Sequence, residues 1–197
     1  MLLPIVHAGE PVLRQQARAL SPQEIRSKEI QKLIEHMRET MRQAPGVGLA
    51  APQIGLSLQL AVIEDRKQYH KEVSPEQLAL RERRPVPFHV LVNPRIRTLE
   101  EDQTVEFFEG CLSLPGYFAL VPRSRSVRVE CLDQRGNPKT IEASGWYARI
   151  LQHEIDHLHG NLYIDRMHSR SLSSTENWEK FWKGKPIAEV RCGLGLQ

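Results

Sequence analysis

The sequence lacks the features that mark several protein classes. No apolar run approaches the roughly 18 residues that a membrane-spanning helix requires, so we expect no membrane partner. The N-terminus, MLLPIVHAGE, has no basic region followed by an apolar stretch and a cleavage site, although a mature form that has lost its targeting peptide would look the same. The net charge is only +3, which is no signature of specific nucleic-acid binding.

Cysteine is scarce as well. The sequence has 3, at Cys111, Cys131 and Cys192, and an odd number with wide spacing argues against a disulfide framework and for a reducing compartment. A cysteine is by default a small buried apolar residue, and Cys131 fits that description within the alternating segment SVRVECL. The arginine runs RERR (81–84) and RSRSVR (123–128) are expected to be solvated surface.

What the sequence does have is enough apolar material for one core. With 197 residues and 40% hydrophobic content, we expect a single domain over 1–197. SPQE (21–24) is a capping box, and apolar residues at helical spacing after it predict a helix over about 24–43. A long helix is predicted from about Gly145 to His159, with Gly160 as its stop. Strands are predicted for five segments: 58–64, 88–94, 104–110, 125–133 and 139–144.

Two segments lie outside these predicted helices and strands. Residues 65–87 are charged and carry a second capping box, SPEQ, so they are predicted to be a surface insertion with a short helix. Residues 168–197 are predicted to be an irregular C-terminal tail, which Trp178 and Trp182 hold against the body. The expected fold class is α+β, with mostly antiparallel sheets around a long metal-binding helix.

The stretch QHEIDHLHG (152–160) concentrates metal-binding side chains. On a helix, His153 and His157 share one face, and Glu154 lies beside them where it can reach a water without ligating the ion. The apolar neighbours on this helix predict that both imidazoles are buried and therefore need partners. His159 lies off this face and is expected to be exposed.

A catalytic divalent ion usually takes three protein ligands and a water. The extended peptidase pattern with a third histidine fails, because position 163 is Tyr. Glu176 is at the distance of another peptidase class, but no helix is predicted that would carry it back to the site. Cys111, in EGCLSLPG (109–116), is the better candidate, since a thiolate is a strong ligand for zinc or ferrous iron.

With these residues assembled, the chain resembles the peptide deformylase family. Three motifs match in order: GVGLAAPQ (46–53), EGCLS (109–113) and QHEIDHLHG (152–160). The resemblance covers roughly 4–167. It implies hydrolytic removal of the N-formyl group from the formyl-methionine of newly made polypeptides. ASGWYAR and LYIDRM look most like the organellar branch of eukaryotes, which implies a mitochondrial or plastid location, or the cytoplasm if the source is bacterial.

The resemblance also implies roles for residues of this chain. The metal ligands match Cys111, His153 and His157, and the catalytic glutamate matches Glu154. The oxyanion donors match the side chain of Gln53 and the backbone N–H of Leu112. The cofactor implied is one divalent ion, natively ferrous iron, which zinc, nickel or cobalt can replace. The expected partners are formyl-methionine nascent peptides and, transiently, the ribosome; the oligomeric state is not fixed.

Helix spacing itself suggests a pocket for the methionine side chain. Ile150 and Trp146 precede His153 by three and seven residues, so they line an apolar slot or pack in the core. The family comparison favours the slot, and Leu114 and Tyr117 are expected to form a rim for the following residues of the peptide, which is expected to lie as an extra strand. Asp156 and Arg123 are candidates for an ion pair that braces the helix. The full set of predicted substrate-binding residues is Val47, Gly48, Phe107, Glu109, Gly110, Trp146, Arg149 and Ile150.

Some of these assignments have plainer alternatives. Gln53, taken alone in a tight loop, is more typical of a cap than of an oxyanion donor, although nearby glycines permit a close approach of substrate. Two other functions also remain open at this point. One is a general HExxH peptidase that uses Glu176 or another downstream ligand, and the other is a structural metal module without catalysis.

Overall fold

Two antiparallel sheets organise the protein, for which the computed structural model describes residues 1–71, 73–99 and 103–196. The described strands in chain order are β1 (Gly48–Ala50), β2 (Leu60–Asp65), β3 (Val86–Thr98), β4 (Thr104–Cys111), β5 (Leu114–Ser124), β6 (Ser126–Leu132), β7 (Pro138–Ser144) and β8 (Ser173–Ser174). Strands β1, β2, β3, β6 and β7 lie side by side in that order in a five-stranded sheet, and β4, β5 and β8 form a three-stranded sheet. These sheets confirm the α+β class.

The described helices surround these sheets. They are α1 (Pro22–Ile25), α2 (Lys28–Gln43), α3 (Pro75–Leu80), α4 (Gly145–Leu158), α5 (Thr175–Phe181) and α6 (Ile187–Leu194). No helix in the described part of the chain combines the length and apolarity that crossing a membrane demands.

Helix α4 packs on the five-stranded sheet and determines where the site lies. Its buried residues Leu151 and Ile155 belong to the same core as Ile63 and Val129 of the sheet. The polar positions of α4 face the three-stranded sheet instead, so the helix lies between the two sheets with its chemistry on one side. Burial of these aliphatic side chains is the main force that holds the helix there.

The two ends of α4 are fixed by glycines in the left-handed region. Gly145 has φ +59°, and a Cβ there would lie 2.5 Å from the Cβ of Glu82, so only glycine lets the chain pass this close to residues 81–82. The N–H of Trp146 donates to the carbonyl oxygen of Arg81 at 2.8 Å. Gly160, with φ +76°, follows the C-terminus of α4, which confirms the predicted stop.

Helix α2 covers the other face of the five-stranded sheet. Its residues Ile34, Met37 and Met41 are buried in one core with Leu60 and Val62. The predicted helix over 24–43 is thus largely confirmed. The structure divides it, however, because Ser27 acts as a second N-cap and its side chain accepts from the N–H of Ile30 at 3.2 Å.

Several predicted boundaries need correction. The tail predicted to be irregular over 168–197 is not so in its described residues 168–196, since two short helices form there. The expected clamp is present, because Trp178 and Trp182 pack in one cluster with Phe108 and Leu120. Strand β5 was not predicted, since its prolines and a glycine mask the alternation of side chains.

The segment 65–87 is more than a surface excursion. It carries α3, whose N-cap is Ser74 as the second capping box predicts. It also brings Arg81 and Arg83 beside Trp146, with their guanidinium carbons 4.9 and 5.3 Å from the indole ring centroid. Solvent exposure of the whole run 81–84 was therefore a wrong expectation. Arg83 is drawn inward by a paired hydrogen bond to the buried carboxylate of Asp65, which needs a counter-ion.

Candidate metal centre

One group of metal-binding side chains stands out in the described residues: Cys111, His153 and His157. The ligand atoms of the three residues all lie within 4.8 Å of one another. Strand β4 ends on Cys111, while α4 presents both histidines one turn apart on one face. The prediction that a cysteine distant in sequence joins the two histidines is thus consistent with the geometry.

The donor set fits a divalent cation. The Sγ atom of Cys111 lies 3.3 Å from Nε2 of His157. Nδ1 of His153 donates to Oε2 of Glu109 at 2.9 Å, so its Nε2 keeps a free lone pair for a metal. One thiolate and two imidazoles are ligands that zinc and ferrous iron accept, and three protein ligands leave a coordination position for water.

Glu154 lies beside this group in a setting suited to proton transfer. The residue is buried, and burial raises the pKa of its carboxyl to about 7. Its Oε2 atom has no hydrogen-bond partner among the described residues. A group with a pKa near neutrality can both accept and release a proton under physiological conditions.

Gly48 leaves the room that this carboxyl occupies. A Cβ added at Gly48 would lie 2.2 Å from Oε1 of Glu154. The glycine of the loop GVG is therefore required by a side chain on α4, far away in sequence. This is a specific reason for glycine here, beyond the plain turn that its sequence context suggests.

We expect Gly48→Ala to impair activity more than folding. The new methyl group must displace the Glu154 carboxyl, and misplacing a catalytic group by about 1 Å can cost on the order of 100-fold in rate. Steady-state hydrolysis of a formyl-methionyl peptide would measure this, together with metal content and Tm. An unchanged rate would show that the carboxyl position is not critical.

The geometry of Gln53 shows the cap and is compatible with the predicted oxyanion donor. Its Oε1 accepts from the backbone N–H of Ala50 at 2.8 Å, which is the cap that the loop predicts. Its Nε2 points to the site and lies 3.4 Å from both Sγ of Cys111 and Oγ of Ser113. The cap fixes the side chain so that the amide N–H₂ faces the metal-binding group.

A buried ion network supports the site from behind. Arg123 donates to both carboxylate oxygens of Glu109 at 2.8 and 2.9 Å, and to Oδ2 of Asp156 at 2.6 Å. Arg149 donates to Glu109 at 2.6 Å, and Arg166 binds Asp156 through two hydrogen bonds. The predicted Arg123–Asp156 pair is present, whereas the expectation that the run 123–128 is solvated is wrong for Arg123.

Glu109 is the centre of this network. Burial alone would raise the pKa of its carboxyl, but the hydrogen bonds from Arg123 and His153 hold that pKa well below its usual range. Both oxygens are already bound by this chain, so the geometry gives Glu109 the task of orienting His153. The prediction that Glu109 contacts substrate is therefore weakened, even though the residue lines the cavity.

A cavity of about 400 Å³ opens beside the metal-binding group. It is large enough for more than one peptide side chain. Leu112, Gln53 and Glu154 line it, and so do Leu114 and Tyr117, which were predicted at the rim. The predicted substrate-binding residues that line it are Val47, Gly48, Glu109, Gly110, Trp146, Arg149 and Ile150.

Phe107 is the exception among those residues. Its ring packs behind Trp146, with centroids 6.2 Å apart, and borders a separate cavity. The guanidinium carbons of Arg81 and Arg149, which both line the main cavity, lie 5.6 and 5.2 Å from the Phe107 ring centroid, so these side chains cover the ring on that side. The wall residues that sequence reasoning missed include Arg81, Arg83, Phe108 and Trp178. They come from the segments outside the three motifs, so no local signal identifies them.

The other candidate ligands lie elsewhere. Glu176 is absent from the metal-binding group, which removes the ligand that the peptidase alternative needed. Tyr163 is buried and stacks on His153, with ring centroids 6.2 Å apart. His159 is exposed at the end of α4, as expected. No fourth protein ligand accompanies the three among the described residues, so a closed structural site is not formed.

Comparisons with known proteins agree with this geometry. The family model described as Polypeptide deformylase matches residues 2–173. The chain is 46% identical over 193 residues to "Peptide deformylase 1A, chloroplastic/mitochondrial" of Arabidopsis thaliana, covering 98% of this chain and 70% of that protein. It is 46% identical to the peptide deformylase of Bifidobacterium adolescentis, covering 100% and 87%. It spans 62% of the length of the chloroplastic relative from Solanum lycopersicum.

A solved structure shows the same fold. The Met-Ala-Ser-bound class I type b peptide deformylase from Acinetobacter baumannii is similar with a TM-score of 0.74 at 33% identity, covering 85% of this chain and 99% of that one. The metal-binding geometry, the sequence relatives and the fold lead to one conclusion. The chain belongs to the polypeptide deformylase family, the metal-dependent hydrolases that remove the N-formyl group from the formyl-methionine of newly synthesised polypeptides.

Proposed function

We propose that this chain deformylates formyl-methionyl peptides with Cys111, His153 and His157 as metal ligands and Glu154 as the proton-transfer group. The observation that carries the proposal is the buried Glu154 carboxyl, with one oxygen unpartnered, beside the three metal-binding side chains. A divalent cation held there supplies Lewis-acid chemistry, which acidifies water and polarises a carbonyl oxygen.

Each residue has a defined task in this scheme. Glu154 accepts the proton of the attacking water and later gives it to the leaving amine, so the carboxylate is regenerated in each cycle. The Nε2 amide of Gln53 and the backbone N–H of Leu112 donate to the oxygen that gains negative charge. One such donor is typically worth about 3 kcal/mol of the barrier. Glu109 and Arg123 keep His153 in the required orientation and tautomer.

The peptide is proposed to bind as an added strand. Strand β1 pairs with β2 and strand β4 with β5, so each has an edge without a partner strand in the described part of the chain. Gly48 and Gly110 at these edges line the same cavity. An extended peptide can hydrogen-bond to such edges and place alternate side chains in pockets. The similar Acinetobacter protein was solved with Met-Ala-Ser bound, which supports a short peptide as the ligand of this chain.

The first side chain then enters the slot on α4. Ile150 and Trp146 line it one and two turns before His153, and the unbranched methionine side chain suits an apolar slot of this kind. Burial lowers the pKa of Arg149 to about 10, but the guanidinium stays charged and bonded to Glu109. Arg149 therefore shapes the slot as part of the ion network.

Cys111→Ser tests the ligand assignment. We expect the variant to lose most of its bound metal after dialysis, because a neutral hydroxyl is a far weaker ligand than a thiolate. Metal analysis by mass spectrometry on anaerobically purified protein would measure this, with Cys192→Ser as the matched control on the surface. Full metal content with full activity in Cys111→Ser would contradict the assignment and favour a peptidase with another ligand.

Our proposal extends to the native metal, the cellular location and the partners of this protein. We propose ferrous iron, with zinc, nickel or cobalt as replacements, since the thiolate–imidazole set accepts all of them. Curated relatives include organellar and bacterial proteins, so either an organelle or the bacterial cytoplasm suits the chain. We propose that residues 1–197 act as one catalytic domain. Transient ribosome contact stays a prediction, which co-sedimentation with ribosomes would test.

A further inference from the structure

An aromatic pair forms the far wall of the main cavity. The rings of Phe118, on β5, and Trp178, on α5, stack at a centroid distance of 4.3 Å and an interplanar angle of 18°. Both residues line the cavity, and so does Phe108, whose ring centroid is 6.3 Å from that of Trp178. A parallel stack presents one continuous apolar surface, on which a flat or branched side chain can pack.

The pair lies close to the chemistry. A Cβ added at Gly110 would lie 2.8 Å from Cε1 of Phe118, so the Phe118 ring packs directly on the residue before Cys111. Any peptide that reaches the metal along β4 therefore passes this surface. Trp178 itself lies beyond residue 173, where the match to the family model ends. It is a contribution of this chain's C-terminal segment.

The C-terminal segment is held firmly enough to act as a wall. Strand β8 pairs with β5 through Tyr117–Ser174 and Phe118–Ser173, directly before α5 begins. The Ser174 side chain caps α5 by accepting from the N–H of Asn177. Trp178 thus stands opposite Phe118 because the strand pairing and the cap fix the start of its helix.

The alternation of side chains along the peptide determines which substrate residue meets this wall. In an extended peptide, successive side chains point to opposite sides. The slot of Trp146 and Ile150 on α4 takes the first side chain, so the second points the other way. On β5, Ala119 pairs with Glu109, which bonds to Arg149 and His153 of α4, so the neighbouring Phe118 faces the side away from α4. Trp178 stacks on Phe118 there, and both rings line the cavity.

We infer that the Phe118–Trp178 stack is a specificity determinant for the second residue of the substrate and favours large apolar side chains there. The inference rests on the proposed function, since it concerns the peptide that is deformylated. The stack touches the substrate beside the reacting group and takes no part in proton transfer. Its effect is expected in KM more than in kcat, because the same contact exists before and during the reaction.

The test compares two substrates, formyl-Met-Phe-Ser and formyl-Met-Ala-Ser, on metal-loaded full-length protein. In Trp178→Ala we expect kcat/KM for the Phe peptide to fall about tenfold, mainly through KM, as is typical when an apolar subsite loses contact area. The Ala peptide should change by less than about twofold. Trp178→Phe, which keeps an aromatic ring against Phe118, should retain the preference within about twofold.

Trp182→Ala is the matched control. Trp182 belongs to the same apolar cluster as Trp178 but does not line the main cavity, so its loss reports the structural cost alone. Equal losses for both peptides in Trp178→Ala, or the same change of preference in Trp182→Ala, would overturn the inference. Failure of the wild-type protein to hydrolyse either peptide would instead reject the proposed function, which the wild-type measurement shows before any variant is made.

Discussion

Glu154→Gln is expected to abolish most of the turnover while leaving the metal in place. The amide keeps the size of the carboxyl against Gly48, but it can neither accept the proton of the attacking water nor deliver one to the leaving amine. Removing a positioned acid–base group typically costs 10²–10⁴-fold, and Glu154 serves in both directions, so we expect a fall in kcat of about 10³-fold or more. Hydrolysis of formyl-Met-Ala-Ser by wild type and variant would measure it.

The controls separate chemistry from structure. Metal analysis of Glu154→Gln should match the wild type, because Glu154 is not one of the three metal-binding side chains. Glu142→Gln, an exposed change on β7, should leave the rate unaltered. A variant at position 154 that keeps its rate within tenfold would refute the proton-transfer role and would revive the structural metal module, in which position 154 makes no difference.

Arg123→Met is expected to cause the largest loss of stability among simple substitutions near the site. The side chain of Arg123 is 2% exposed and bonds to Glu109 and Asp156, which are also nearly inaccessible. Removing one member of a buried ion cluster leaves the other charges short of a counter-ion, which typically costs about 3–5 kcal/mol. Methionine fills a similar volume, so the loss reports charge more than packing. Urea denaturation of the metal-loaded protein would measure it.

Arg128→Met provides the comparison. Arg128 also pairs with two carboxylates, those of Glu130 and Glu142, but these side chains are well exposed to solvent. Exposed ion pairs are typically worth about 0–1 kcal/mol, so this variant should unfold close to the wild type. A loss of less than about 1 kcal/mol in Arg123→Met would mean that Arg149 and Arg166 compensate for the missing guanidinium.

Arg123→Met is also expected to weaken metal binding and activity, because the same ion network orients His153. With Arg123 removed, Glu109 loses two of the hydrogen bonds that hold it toward His153. Changes to the partners of metal-bound histidines typically cost 10–100-fold in metal affinity or activity. A metal titration of Arg123→Met would therefore show weaker binding, whereas Arg128→Met should bind as the wild type does.

Much of the framework follows from sequence patterns alone. The helical spacing of His153 and His157, the capping serines and the glycine stop at residue 160 are local signals, and the structure bears out each of them. The prediction that Cys111 joins the histidines came from chemistry, since a three-ligand site lacked one donor. These inferences succeed because helix periodicity, capping and ligand preference depend on a few neighbouring residues or on the donor type.

Long-range effects account for what the sequence did not reveal. Arg123 and Arg83 look like surface arginines in their runs, yet buried carboxylates on other strands draw them inward. Trp178 is remote from every motif, and it lines the cavity because β8 pairs with β5. Ser27 divides a helix whose apolar spacing continues without interruption, which shows that a local cap can compete with periodicity.

The sequence by itself pointed to the three candidate metal ligands, to the helix that carries two of them and to the family to which the chain belongs. Only the tertiary structure showed that Arg123 and Arg149 donate hydrogen bonds to Glu109. It also showed that Gly48 makes room for Glu154 and that helix α5 supplies part of the cavity wall. The physical reason is that ligand identity and helical phase are local properties. Counter-ions for buried charges and the walls of a cavity come from whichever segments the packing brings into contact.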